Sequence, residues 1–161
     1  MADINEMLLF NYDQIEYAAL PDGTVGALAL AEDLFIATSA LAALARRKSR
    51  LAAPVAHRIL DESRGDSFLR SSALETLFAV DRERALAYIA AHALSADPPL
   101  VGTIMELMVE NSDIFRVAAA APTTRAVAQR VNELDAQGTE LDPVLHRDFQ
   151  KLFHQEMHKK R

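Results

Sequence analysis

Aspartate residues interrupt a helical pattern of apolar residues in the middle of this chain, and this feature leaves few folds open. Between Asp66 and Asp97, apolar residues recur at the spacing of one face of an α-helix. The pattern stops at Val80, resumes directly after Asp81 and stops again at Asp97. Because an Asp residue can cap the helix that follows it, the spacing predicts two short helices joined by a tight turn.

Helical patterns of this kind account for the whole chain. Half of the 161 residues are hydrophobic but only 6% are aromatic, and five Gly and six Pro leave little turn chemistry for a multi-stranded sheet. We therefore predict an all-α fold and a single helical domain over residues 1–161. Helices are expected at about 4–20, 24–47, 53–63, 66–80, 82–94, 98–110 and 122–137, with a short helix before 121 and a last one after Asp142-Pro143.

The apolar run over residues 24–45 is long enough to span a bilayer. Glu32 and Asp33 lie near its middle, where each would cost roughly 2.5–3.5 kcal/mol on insertion scales. A buried central helix is predicted instead, with no membrane association. The chain has no cysteine, which excludes disulfides and thiolate metal sites. Because the N-terminus also lacks a basic signal region, we expect a cytoplasmic location.

Charge is distributed unevenly along the chain. Residues 1–45 hold seven acids and no Lys or Arg, and residues 46–50, RRKSR, then hold four bases. Cations at the end of a helix are favoured by its dipole, although RRKSR is also compatible with a nucleic-acid or targeting role. The net charge of −6 argues against general nucleic-acid binding, which needs a broad basic face, and permits a basic protein partner.

One stretch resembles a known family. The HEAT-type helical repeat is matched by Asp66-x-x-x-Arg70-x-x-Ala73-Leu74-x-x-Leu77, a turn at Asp81, and Ala85-x-x-x-Ile89. A second start is similar, with Asp97-Pro98-Pro99-Leu100-Val101, Ile104 and Leu107, but has Gly102 in place of the expected Arg. The match covers residues 66–115. It implies a short stack of antiparallel helix pairs with capping helices, a concave surface lined by the second helices, and protein binding. The alternative is an irregular helical bundle.

Two sets of residues are candidates for binding a partner. Arg84, Tyr88 and His92 recur every four residues on the second helix of the repeat, and Tyr and Arg are common interface anchors. The alternative is that Tyr88 packs internally and His92 is an ordinary surface residue. The second set is an acidic docking patch, with a solvated helix face as its alternative, and comprises Glu106, Glu110 and Asp113.

Catalytic and metal-binding motifs are missing from the sequence. The segment HQEMH places His154 and His158 one turn apart, but Gln155 stands where a zinc protease has its Glu. No nucleophile elbow, P-loop or Gly-rich dinucleotide turn occurs. We therefore expect no enzyme activity, no cofactor and no metal.

The sequence thus predicts a non-catalytic protein-interaction module. Its most concrete form is a bacterial immunity or antitoxin-type protein that blocks a toxin, and a basic toxin would suit the acidic charge. An adaptor or regulatory subunit explains the same features. A HEAT-like enzyme acting on nucleic acid or a cofactor is a third class, and it would need a basic, aromatic groove or a roomy pocket. A homodimer is also possible if a capping helix leaves an apolar face uncovered.

Overall fold

The computed structural model describes residues 15–158, except the side chain of His158, and this part of the chain contains helices and no strands. The all-α prediction is therefore confirmed. Ten α-helices occur within these residues: α1 (Asp22–Ala29), α2 (Leu34–Arg46), α3 (Ala52–Asp61), α4 (Ser67–Val80), α5 (Arg82–His92), α6 (Pro98–Glu110), α7 (Ser112–Phe115), α8 (Ala121–Ala136), α9 (Pro143–Leu152) and α10 (His154–His158). Single 3₁₀ turns form at Tyr17–Ala19, Ala93–Ser95 and Ala118–Ala120.

Aspartate side chains start five of these helices. The carboxylate accepts a hydrogen bond from the backbone N–H three residues later, at 2.8–3.2 Å, in the helices that follow Asp33, Asp66, Asp81, Asp97 and Asp142. Each bond satisfies a backbone donor that has no partner inside the helix. The interruptions at Asp66, Asp81 and Asp97 in the sequence pattern are therefore helix caps, as predicted.

The predicted long helix over residues 24–47 is wrong. The structure has two helices there, α1 and α2, separated by residues 30–33. The break occurs because the Asp33 carboxylate bonds to the backbone N–H of Ile36, 3.0 Å away, and so starts a new helix. Within the described residues, no helix is both long and apolar enough to cross a membrane. The predicted helix at 4–20 lies mostly outside the described residues, and Tyr17–Ala19 forms a 3₁₀ turn.

The chain divides into two compact units, one ending at Arg84 and the other starting at Ala85. In the first unit, α1 packs against α2, while α4 packs against both α2 and α3. Its core is aliphatic, and the following side chains are 2% exposed or less: Leu28, Leu44, Ile59, Leu60, Leu69, Leu74 and Leu77. That the chain is one domain stays a prediction.

In the second unit, α6 packs against α8 and α9, and α8 also contacts α10 and the turn at Ala93–Ser95. Phe115, Phe149 and Phe153 are almost fully buried, and the rings of the last two are 4.9 Å apart. The Thr124 hydroxyl donates to the carbonyl oxygen of Phe115 at 2.9 Å, which satisfies a polar group that is 1% exposed. The resemblance to a HEAT repeat, which includes α6, stays a prediction.

Arg47 ties the end of α2 to the residues before α1. Its guanidinium donates to the carbonyl oxygens of Leu20, at 2.8 Å, and of Tyr17, and it pairs with the Asp22 carboxylate at 2.8 Å. The Ser49 hydroxyl donates to the other oxygen of Asp22 at 2.6 Å. This base of the RRKSR segment therefore has an internal role, whereas Arg46, Lys48 and Arg50 are exposed.

The tie predicts a pH dependence. The hydrogen bond from Ser49, and then the one from Arg47, lower the pKa of Asp22 from its ordinary value of 3.8. Because the folded-state pKa is the lower one, the stabilisation is complete above the unfolded-state value and is lost as pH falls through the folded-state value. We expect Asp22→Asn to lower stability at neutral pH, with the difference from wild type shrinking below about pH 4. Urea unfolding at a series of pH values measures this difference, and a difference independent of pH would contradict the role of the carboxylate.

Candidate protein-interaction surfaces

The two predicted sets of binding residues occupy different surroundings. In α5, the Arg84 guanidinium lies 3.5 Å from the Asp81 carboxylate, and its side chain is 44% exposed. Tyr88 is only 9% exposed and its ring stacks on that of His92, with centroids 4.4 Å apart. Tyr88 is therefore buried beside Ile89, on the same face of α5 as Ala85, which is the internal packing given as the alternative in the sequence analysis. Binding by this set stays a prediction.

The acidic set is exposed, and one of its members lies beside further acids. Glu106 and Glu110 lie on the exposed face of α6, and Asp113 is exposed on α7. Glu106 lines an open cavity of about 310 Å³ together with Glu140 and Asp142, two acids that follow α8. The structure therefore joins Glu106 to acids that the sequence analysis did not consider. Whether this surface binds a partner stays a prediction.

An aromatic patch on the first unit was missed by the sequence analysis. We define it by Leu34, Phe35 and Phe68, whose side chains are 37%, 56% and 67% exposed. All three line an open cavity of about 270 Å³, together with Thr38, Ser39 and Asp66. Single exposed apolar residues are common on protein surfaces, but neighbouring large ones mark interaction sites.

Two helix caps position the patch. Phe35 and Phe68 are each the second residue of a helix, two positions after the capping residues Asp33 and Asp66. Because the first turns of α2 and α4 line the same cavity, both helices begin at the same end of the first unit. The backbone under both rings is fixed by capping bonds of 3.0 and 2.9 Å. The aromatic rings therefore project from a rigid base, which lowers the entropy cost of binding a partner.

Three acidic residues lie at or near the patch. Asp33 and Asp66 lie beside its two rings in sequence, and Glu32 lines a neighbouring cavity of about 220 Å³ that shares Leu34 with the patch. Burial raises the pKa of Tyr17, and the negative charge of Asp33 raises it further. Arg64 lines the neighbouring cavity too, but its guanidinium pairs with Glu62 and donates to a backbone carbonyl. The rim of the patch is therefore acidic.

A second surface is an open groove along α8 in the second unit. Its volume is about 750 Å³, and it runs beside Leu94 and Met157. Asn132 donates from its side chain to the carbonyl oxygen of Met157 at 3.0 Å, which holds α10 next to α8. Glu133 is bonded to Gln129 and Arg130 at 2.9 and 3.4 Å. The groove therefore has an ordered polar floor.

The structure adds no metal site to these surfaces. Within residues 15–158, no group of three His, Asp or Glu side chains is arranged to hold a metal ion. Of the two histidines in HQEMH, His154 is exposed, while the side chain of His158 lies outside the described residues.

Comparison with known proteins finds no match: no family model, no curated protein and no solved structure is similar to this chain.

Proposed function

We propose that this protein is a non-catalytic protein-interaction module that binds its partner through the aromatic patch. The observation that carries this proposal is the exposure of Phe35 and Phe68, at 56% and 67%, in one cavity. Aromatic side chains are enriched at interfaces because they bury a large apolar area with few rotatable bonds. Here they project from two capped helices.

The size of the cavity supports a protein partner over a small molecule. The cavity is open, and its volume of about 270 Å³ is at the lower end of the roughly 300–1,000 Å³ of the clefts that enclose small molecules. A cavity of this size suits a single apolar side chain that protrudes from a partner surface. The surrounding residues would then form the polar rim that excludes water from the contact.

The charge of the patch indicates a basic partner. Asp66 lines the cavity of the patch, Asp33 directly precedes Leu34 in the sequence, and Glu32 lines the adjoining cavity that shares Leu34. Residues 1–45 hold no Lys or Arg. An acidic surface steers a basic partner towards it and repels phosphate groups, which argues against nucleic acid as the ligand. We propose a bacterial immunity or antitoxin-type protein that covers a basic toxin as the concrete form of this function. An adaptor or regulatory subunit would use the same surface.

The experiment compares three tagged proteins in affinity capture from the native host, followed by quantitative mass spectrometry. The patch variant carries Phe35→Ala and Phe68→Ala. The control variant carries Val117→Ala and Val144→Ala, which truncate apolar side chains of similar exposure, 52% and 57%, outside the patch. We expect a stoichiometric basic partner with the wild type and the control, and none with the patch variant. Because the truncated side chains are exposed, all three proteins should unfold at similar temperatures.

Two results would count against the proposal. A partner that the patch variant retains would place the binding surface elsewhere. A protein that is captured alone in repeated experiments would contradict the interaction module itself.

A further inference from the structure

The exposed face of α8 has a regular residue spacing. Pro122, Arg125, Gln129, Glu133 and Ala136 all line the groove, and they follow one another at intervals of three, four, four and three residues. The opposite face of α8 supplies the core through a different set, namely Thr124, Val127, Ala128, Val131 and Leu134. An outward row repeating every three or four residues is the spacing with which one helix packs along another. The groove therefore suits a helix.

The row is symmetric about Gln129. Arg125 and Glu133 lie four residues before and after it, and Pro122 and Ala136 lie seven residues before and after it. If a second α8 lay antiparallel on the first, a residue before Gln129 in one copy would face the residue at the same distance after Gln129 in the other copy. Arg125 of each copy would face the Glu133 position of the other, and the two Gln129 residues would meet on the twofold axis.

We propose that the groove is the contact surface of a homodimer in which α8 of one copy packs antiparallel against α8 of the other. Charge complementarity favours this occupant and this direction, with the Glu133 carboxylate sharing or exchanging the bonds that it accepts from Gln129 and Arg130 of its own chain. An antiparallel pair joins Arg125 to Glu133 twice, whereas a parallel pair would place like charges opposite each other. Such a self-complementary patch forms a closed twofold dimer.

Side-chain size and apolar margins support close packing. Ala126 and Ala136 are small, and both line the groove, so the helix backbones can approach each other. Leu94, which is 49% exposed, borders the groove. Burying this side chain would add apolar area at the margin of the contact.

The dimer is independent of the proposed function. It uses α8 in the second unit, while the partner-binding patch lies in the first unit. The loss of one contact therefore does not imply the loss of the other.

The experiment is sedimentation equilibrium of the full chain over a wide concentration range. We expect a monomer–dimer equilibrium for the wild type that weakens as ionic strength rises. Arg125→Glu, at an exposed position, should weaken dimerisation at least about tenfold, since two pairs of acids then face each other. Gln129→Lys should also weaken it, because two lysines then meet on the twofold axis. Circular dichroism checks that each variant is folded.

A charge exchange distinguishes this geometry from other dimers. The Glu133→Arg variant alone should also form a weaker dimer, because two arginines would face each other in both pairs. An equimolar mixture of Arg125→Glu and Glu133→Arg chains should restore association as a heterodimer, since every pair is again complementary. A wild type that is monomeric at all concentrations, or whose dimer is unchanged by both Arg125→Glu and Gln129→Lys, would overturn the proposal.

Discussion

Replacing Gly65 with alanine is expected to lower the free energy of unfolding by about 3 kcal/mol. Gly65 has a φ angle of +67°, which is costly for residues with a Cβ atom. A Cβ there would lie 2.7 Å from Leu69 Cδ2 and 2.8 Å from Leu34 Cδ2. Leu69 is buried in the core and Leu34 belongs to the aromatic patch, so both the stability and the shape of the patch depend on this glycine.

Two other glycines distinguish the cost of a positive φ angle from the cost of the contacts that an added Cβ atom would make. Gly138 has a φ angle of +73°, but a Cβ there meets no atom within 4 Å, so Gly138→Ala should cost only about 1 kcal/mol. Gly102 lies inside α6 with the same open surroundings, and Gly102→Ala should stabilise by about 1 kcal/mol. Urea unfolding of the three variants gives these values. Equal costs at Gly65 and Gly138 would show that the contacts with Leu34 and Leu69 contribute nothing.

Replacing Arg47 with alanine is expected to cost about 2 kcal/mol. The substitution removes the side-chain donor to the carbonyl oxygen of Leu20 and one of the two donors to that of Tyr17. It also removes the cationic partner of Asp22, which keeps only the hydrogen bond from Ser49. The side chain of Arg47 is 25% exposed, so water replaces part of the lost bonding. Lysine should not restore stability, because a single ammonium group cannot reproduce the planar fork that reaches these acceptors.

Arg46 provides the matched control for Arg47. It is the preceding base, it lies in the last turn of α2, and it is exposed. Arg46→Ala should change the free energy of unfolding by less than about 0.5 kcal/mol. If Arg46→Ala and Arg47→Ala lowered the free energy of unfolding equally, the effect would come from the helix dipole. The hydrogen bonds of Arg47 to the residues before α1 and to Asp22 would then contribute nothing.

Helix boundaries that depend on local chemistry could be predicted from the sequence. Asp66, Asp81, Asp97 and Asp142 cap helices where the pattern indicated, because a cap involves only residues three positions apart. Asp33 is also a cap, but it lies inside a continuous apolar run. The break between α1 and α2 could not be predicted from this run, because a continuous apolar run is also typical of a single buried helix.

The aromatic patch could be predicted only in part. Phe68 precedes Leu69, the first residue of the predicted apolar face of α4, and so lies off that face. The pattern Asp-x-Phe, at Asp33 and Asp66, does not identify the patch, because it also occurs at Asp113, where Phe115 is buried. That the two rings share one cavity depends on how α2 and α4 pack, which no local pattern records. The burial of Tyr88 agrees with local spacing, because Tyr88 follows the buried Ala85 by three residues and precedes the buried Ile89.

The proposed binding of a protein partner by the aromatic patch can be measured by isothermal titration calorimetry. The captured partner is titrated against the purified wild type, the Phe35→Ala/Phe68→Ala variant and the Val117→Ala/Val144→Ala control. Truncating an aromatic interface anchor costs at least about 2 kcal/mol, which is about 30-fold in the dissociation constant. We predict that the patch variant binds at least about 30-fold more weakly than the wild type while the control binds equally well. Equal affinity of all three proteins would contradict the claim.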